Sequence, residues 1–112
     1  MDTDLNHVTL TGTLERDPVT RFTADHGTQQ VSFTLRLTEA GPAGQALTLL
    51  VPCECGADTA QEAGELSAGA TVMVAGRLKR LTWTDPTGQR KTSLCVLGRL
   101  VKRLAPAVVE AT

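Results

Sequence analysis

Aromatic side chains are scarce in this 112-residue chain, which has one tryptophan, two phenylalanines and no tyrosine. Any stacking surface must therefore rest on very few rings. No apolar run approaches the roughly eighteen residues that a membrane span requires; the longest, Ala46 to Val51, is broken by Thr48. The opening Met1-Asp2-Thr3-Asp4 has neither the positive region nor the apolar stretch of a signal peptide. Three cysteines, an odd number, do not make the paired framework of a small secreted domain. Together these absences predict a cytoplasmic protein with no membrane association. Machinery for catalysis is lacking too: no Ser, Cys and His set has suggestive spacing, no glycine-rich phosphate loop precedes a helix, and the acids form no evident pair. The sequence predicts no enzyme and no cofactor.

What the chain does have is charge sorted by position. From Arg77 to Arg103 there are eight Lys or Arg (Arg77, Lys79, Arg80, Arg90, Lys91, Arg99, Lys102 and Arg103) against Asp85 alone, a net +7. The remainder holds three Arg against eleven acids, a net −8, and the whole carries −1. A polyanion would meet a basic face on a protein of acidic pI.

At this length the chain forms one domain with one core. Val8, Leu10, Gly12 and Leu14 alternate with His7, Thr9, Thr11 and Thr13, the period of a half-buried strand, and Gly12 suggests a bulge or bend. Asp17-Pro18 ends that run. After a turn at Asp25-His26-Gly27, Val31, Phe33, Leu35 and Leu37 mark a second strand. Ala46 to Cys55 reads as a third, with Pro52 implying an edge or interruption. Between Asp58 and Ser67, Ala60, Ala63 and Leu66 recur every three residues, and Asp58 with Gln61 suggests a capping box, so the pattern predicts a helix of about ten residues. Thr71 to Trp83 and about Arg90 to Leu104 form strands four and five around the turn Thr84-Asp85-Pro86-Thr87-Gly88. Five strands with a short helix between the third and fourth is the order of the all-β OB-fold, a five-stranded Greek-key barrel spanning residues 1–104, with 105–112 as a flexible tail. Other small barrels and helix-capped sandwiches share that order.

Strand alternation puts Arg77, Lys79, Leu81 and Trp83 on one face. Cations beside an aromatic platform suit single-stranded nucleic acid, whose phosphates need positive charge and whose unpaired bases need a flat surface. The competing account makes Trp83 a core residue and the charges a solvated hairpin; its place beside a polar turn argues against deep burial. The candidate DNA-binding residues are Trp83, Arg77, Lys79, Arg80, Arg90 and Lys91, with Arg21 and Arg36 as further phosphate contacts. Cys53-Glu54-Cys55 with Cys95 and a histidine would be the candidate metal site, but a strand C-x-C lacks the C-x-x-C turn of a zinc knuckle, so no metal is expected.

Two separated strings carry a family resemblance. Asn6-His7-Val8-Thr9-Leu10-Thr11-Gly12-Thr13-Leu14, followed by Asp17-Pro18 and Arg21-Phe22, resembles the opening of the bacterial single-stranded DNA-binding proteins. Gly76-Arg77-Leu78, Trp83-Thr84-Asp85 and Gly88-Gln89-Arg90 resemble their fourth-to-fifth strand hairpin, and the likeness spans about residues 5–104. The resemblance implies an OB-fold that binds single-stranded DNA without sequence preference in replication, recombination or repair. It also implies assembly as a homodimer or homotetramer, with the first strand and Leu47 to Val51 as contact surfaces, and a base-stacking role for Trp83.

The chain departs from that pattern in two places. The loop Thr38 to Gln45 has no aromatic residue, and the two aromatic positions of the family's third strand fall on Leu49 and Cys55. Each absent stack forfeits roughly 1–3 kcal/mol, which leaves charge to carry more of the binding. Replicative members also end in a long tail with an acidic, hydrophobic tip that recruits other proteins, whereas this sequence stops at Thr112 with one glutamate in its last eight residues. A chain complete there compares better with the short, tailless relative, primosomal replication protein N, a dimer serving replication restart with replication or restart proteins as partners. An OB-fold module that binds protein in place of DNA is the alternative from another class.

Overall fold

Alternating burial follows the alternating sequence along each strand. In the computed structural model, which describes residues 4–24 and 27–105, the strands are β1 (Val8–Leu14), β2 (Val19–Phe22), β3 (Gln29–Ala40), β4 (Ala46–Cys55), β5 (Thr71–Thr84) and β6 (Arg90–Ala105), with helix α1 (Ala60–Gly64) between β4 and β5. The order across the sheet is β1-β5-β6-β4-β3-β2, and a further β1–β3 pairing closes it. The closure is a five-stranded barrel with one short helix, the OB-fold. All pairings are antiparallel except β4–β6, which is parallel at Cys53–Val96, Glu54–Leu97 and Cys55–Gly98.

The core comes from one side of every barrel strand. Leu14, Val31, Leu35, Val72, Val74 and Val96 are fully buried, and Ala60, Ala63 and Leu66 of the helical segment pack against them. Each large aliphatic side chain removed from water contributes about 1.5–3 kcal/mol. This set explains why a chain with few aromatics still closes a barrel: β-branched and leucine side chains fill the interior, and only Phe33 among the rings joins them.

Three expectations need correction. The count of five strands omits a short one outside the barrel closure: β1 ends before Asp17-Pro18, as that pair implies, and the chain then returns as β2, four exposed residues paired with β3 through Val19–Ser32 and Arg21–Gln30. Gly12 sits in unbroken β1–β5 pairing opposite Val72, and its requirement is space, since a Cβ there would lie 2.9 Å from the Arg36 carbonyl oxygen, where β1 is shared between β5 and β3. The helix is five residues long, not ten, and no capping box forms. Thr59 is the N-cap residue without a side-chain cap bond, because its buried hydroxyl donates instead to the Gly98 carbonyl of β6, 3.3 Å away. A buried hydroxyl needs a partner, and this one ties α1 to the barrel.

Pro52 conforms to its edge reading. Strand β6 meets β4 only from Cys53 onward, so Pro52 has a neighbour on the β3 side alone. Part of the turn at Asp25-His26-Gly27 and the tail from residue 106 lie outside the described residues.

Candidate nucleic-acid interface

The strands that bury one face present the other as a shallow groove. On β3, Val31, Phe33 and Leu35 point inward, so Ser32, Thr34 and Arg36 point out. Register then sets their neighbours: Val19 of β2 and Glu54 of β4 flank Ser32, Pro52 lies beside Thr34, and Leu50 lies beside Arg36. A depression of about 380 Å³ opens on this face, lined by Val19, Pro52 and Leu81 together with the charged Arg16, Asp17, Arg21 and Glu54. Arg21 and Arg36 thus stand on the same face of one strand ladder, as a phosphate path requires.

The β5–β6 hairpin outruns the barrel and supplies an arm beside this groove. Residues paired across two strands share a face, so Lys79, Leu81 and Trp83 stand with Cys95, Ser93 and Lys91. Trp83 is 45% exposed, which rules out the core reading. The indole has Lys91 directly across the ladder and Leu81 two residues along, and Leu81 is itself part of the groove wall. Trp83, Lys91 and the groove are therefore one continuous surface.

The same alternation divides the other cations. Arg80 and Arg90 have the opposite parity and project with Leu78 and Leu94 from the far side of the arm. Arg77 shares the parity of Lys79 but lies where the barrel curves away, in a hollow with His7 and Arg99. Lys102 and Arg103 line a separate hollow with Glu62 and Glu65 of the helical segment. Of the candidate set, Trp83, Lys79, Lys91, Arg21 and Arg36 are brought to one surface, and Arg80 and Arg90 are not.

Lys79 is engaged by a residue that sequence reasoning passed over. Its Nζ donates to Glu54 Oε2 at 2.8 Å, and Gln30 Nε2 donates to the same oxygen at 3.2 Å. The signal for Glu54 was in the C-x-C spacing. If Cys53 and Cys55 face the core, the residue between them must face the groove. Both thiols are in fact buried in the core, so the position matched to an aromatic at Cys55 cannot meet a base. Leu49 has the parity of the core cysteines and also lies off the groove face. Burial pushes the Cys53 thiol up to about 12, with the neighbouring Cys55 and Cys95 thiols adding to the shift. Burial likewise raises Cys55 and Cys95. No group of three or more His, Cys, Asp or Glu side chains that could share an ion occurs among the described residues.

The turn that holds the arm is built by one carboxylate. Asp85 Oδ1 accepts from the Thr87 hydroxyl at 2.6 Å, the Thr87 N–H at 3.0 Å and the Gln89 N–H at 2.9 Å. The Thr87 hydroxyl and the Gln89 N–H hold this carboxyl below its ordinary value. Gly88 turns the chain back at φ +84°, a conformation that favours glycine. At the barrel end, the Asn6 side chain donates to the Leu78 carbonyl at 2.9 Å and accepts from the Leu78 N–H at 2.8 Å, fixing β5 beside Lys79.

The sequence matches a known family along almost the whole chain: the model of the single-strand binding protein family aligns with residues 5–104. The chain belongs to that family. Among its curated relatives, a single-stranded DNA-binding protein of Thermus thermophilus is 36% identical over 87 residues, covering 78% of this chain and 33% of the relative. Proteins of the same name from Mycobacterium leprae and Caldanaerobacter subterraneus are 30% and 32% identical over 94% and 91% of this chain, and over 64% and 69% of their own lengths. The chain thus spans about a third of the Thermus relative.

Proposed function

We propose that this chain binds single-stranded DNA along the β2–β3–β4 groove and the β5–β6 arm. Bases stack on Trp83, and phosphates pair with Arg21, Arg36 and Lys91. The observation that carries the reading is the half-exposed indole standing across the ladder from Lys91, on a surface continuous with the groove that Arg21 lines. Relatives named single-stranded DNA-binding protein support it. Stacking and phosphate pairing are blind to base order, so most of the affinity is independent of sequence, as suits replication, recombination or repair. With one exposed ring on this surface, stacking supplies roughly 1–3 kcal/mol and charge the rest. Self-association as a homodimer or homotetramer belongs to the same proposal, with the exposed Leu47, Leu49 and Leu50 as candidate contacts.

Fluorescence anisotropy of labelled oligo(dT), against a duplex of equal length and at rising salt, tests the reading. The expected result is preference for the single strand and a decline of log affinity with log salt of about −0.7 per neutralised phosphate. Equal affinity for the duplex, or an affinity insensitive to salt, would overturn it.

A further inference from the structure

Where β5 passes from Ala75 to Gly76, strand β6 carries one residue too many. Ala75 pairs with Leu100 and Gly76 with Gly98, so Arg99 has no partner on β5 and forms a β-bulge. Alternation breaks at the same point: Gly98 and Val101 are buried, and both residues between them, Arg99 and Leu100, are exposed. A regular ladder would turn one of the two inward. Glycine on both strands lets the backbones close up beside the bulge, since a Cβ at Gly76 would collide with the Leu97 carbonyl and one at Gly98 would lie 3.0 Å from Cys55 Sγ. Arg99 is thereby brought beside Arg77 of β5, on a hollow of about 380 Å³ that Asn6, His7, Ala75 and Leu100 complete. Two guanidinium groups on one small surface repel each other. Among the described residues neither makes an ion pair, and no acid lines the hollow. Of the acids around it, Glu54 lies beside Leu97 on β4 and is held by Lys79, and Asp58 shares only a separate hollow with Arg99.

We propose that Arg77 and Arg99 together hold a backbone phosphate outside the groove, so that a single strand running past the groove is tied to the β1–β5–β6 wall. The proposal rests on the single-stranded DNA reading and extends its path. A guanidinium presents a planar fork of N–H donors that matches the oxygens of a phosphate. An anion between the two forks also relieves their mutual repulsion. The continuity of the surface says which anion arrives there. Arg77 is two residues from Lys79 on the same face of β5, a step of about 7 Å, and Cys95, the ladder partner of Lys79, lines the groove. A strand in the groove therefore has this hollow within reach.

The test measures the salt slope of binding for two labelled (dT) oligonucleotides, one of about 6 nucleotides and one of about 16, which bracket most of the site size of a single OB-fold. Both are titrated on the full chain and on its Arg77→Gln, Arg99→Gln double variant. The expected result is a slope for the longer strand that falls by about 0.7 in the variant, one phosphate contact, while the slope for the shorter strand is unchanged. An unchanged slope for the longer strand overturns the proposal. An equal fall at both lengths overturns it too, because the two arginines would then act through their general field or as part of the groove. If the longer strand's slope holds while light scattering shows a smaller assembly, the pair takes a carboxylate of a second copy, and the proposal fails. Retained binding of the shorter strand shows that the variant is folded. Should the double variant not fold, Arg99→Gln alone is read in the same way, and an unchanged slope there is equally fatal. Binding of neither oligonucleotide by the parent would overturn the DNA reading as well, which separates the two failures.

Discussion

At the scale of single residues, the proposed DNA path depends on which side of the β5–β6 arm a charge occupies. Lys91 shares the face of Trp83 and Arg80 does not, although both lie in the same basic stretch. Lys91→Ala and Arg21→Ala should each reduce the salt slope of oligo(dT) binding by about 0.7, one phosphate contact apiece. Arg80→Ala and Arg90→Ala should leave that slope within error of the parent, measured by the same anisotropy titration. Equal losses at all four positions would mean a diffuse basic surface with no defined path. The buried cysteines make a second residue-scale prediction. The folded chain holds the Cys53 proton more tightly than the unfolded chain, since burial moves the thiol from 9.0 to about 12. The stability this contributes is intact below pH 9.0 and is lost as pH rises from 9.0 toward about 12. The limiting slope is about 1.4 kcal/mol per pH unit for one thiol. Urea unfolding across pH 8–11 should show that decline, and Cys53→Ala should flatten it relative to the parent.

At the scale of elements, the arm is only as well placed as its turn. Asp85 collects three short hydrogen bonds and Gly88 takes the positive φ, so both hold Trp83 opposite Lys91. Asp85→Ala should leave the barrel folded by circular dichroism yet weaken oligo(dT) binding, because the arm loses its fixed geometry. Gly88→Val should cost about 1–2 kcal/mol by forcing a β-branched residue into the left-handed region, read as a lowered thermal midpoint. The elements were legible in the sequence to very different degrees. Strands β3 and β5 were written plainly in the alternation of Val31, Phe33 and Leu35 and of Val72 and Val74, because a period of two has one structural meaning. Helix α1 was over-read: the Ala60, Ala63, Leu66 spacing does face the core, but the local Asp58 cap lost to a tertiary hydrogen bond from Thr59 that no local pattern reveals. Strand β2 was missed because all four of its residues are exposed, which leaves no hydrophobic alternation to read. The site followed the same rule. Trp83 and Lys79 were visible from alternation within one strand, whereas the Glu54–Lys79–Gln30 cluster joins three strands and depends on register.

At the scale of the whole molecule, the barrel leaves apolar side chains in water on both of its long hairpins. Leu47, Leu49 and Leu50 on β4 and Leu78 and Leu94 on the arm are each at least 39% exposed. Apolar area of this kind on a small domain marks association surfaces. Light scattering should return a multiple of the 11.8 kDa chain mass, and Leu49→Glu should shift it toward that mass. A monomer at all concentrations would remove self-association from the proposal while leaving the groove intact.

In the proposed complex one open indole on a cationic face meets unpaired bases, and since Trp83 is the only tryptophan, its intrinsic fluorescence reports that contact without a label. Titration of the parent chain with oligo(dT) is expected to quench the emission saturably, with high salt reversing the quenching. Binding by anisotropy with no change in Trp83 emission would contradict the account.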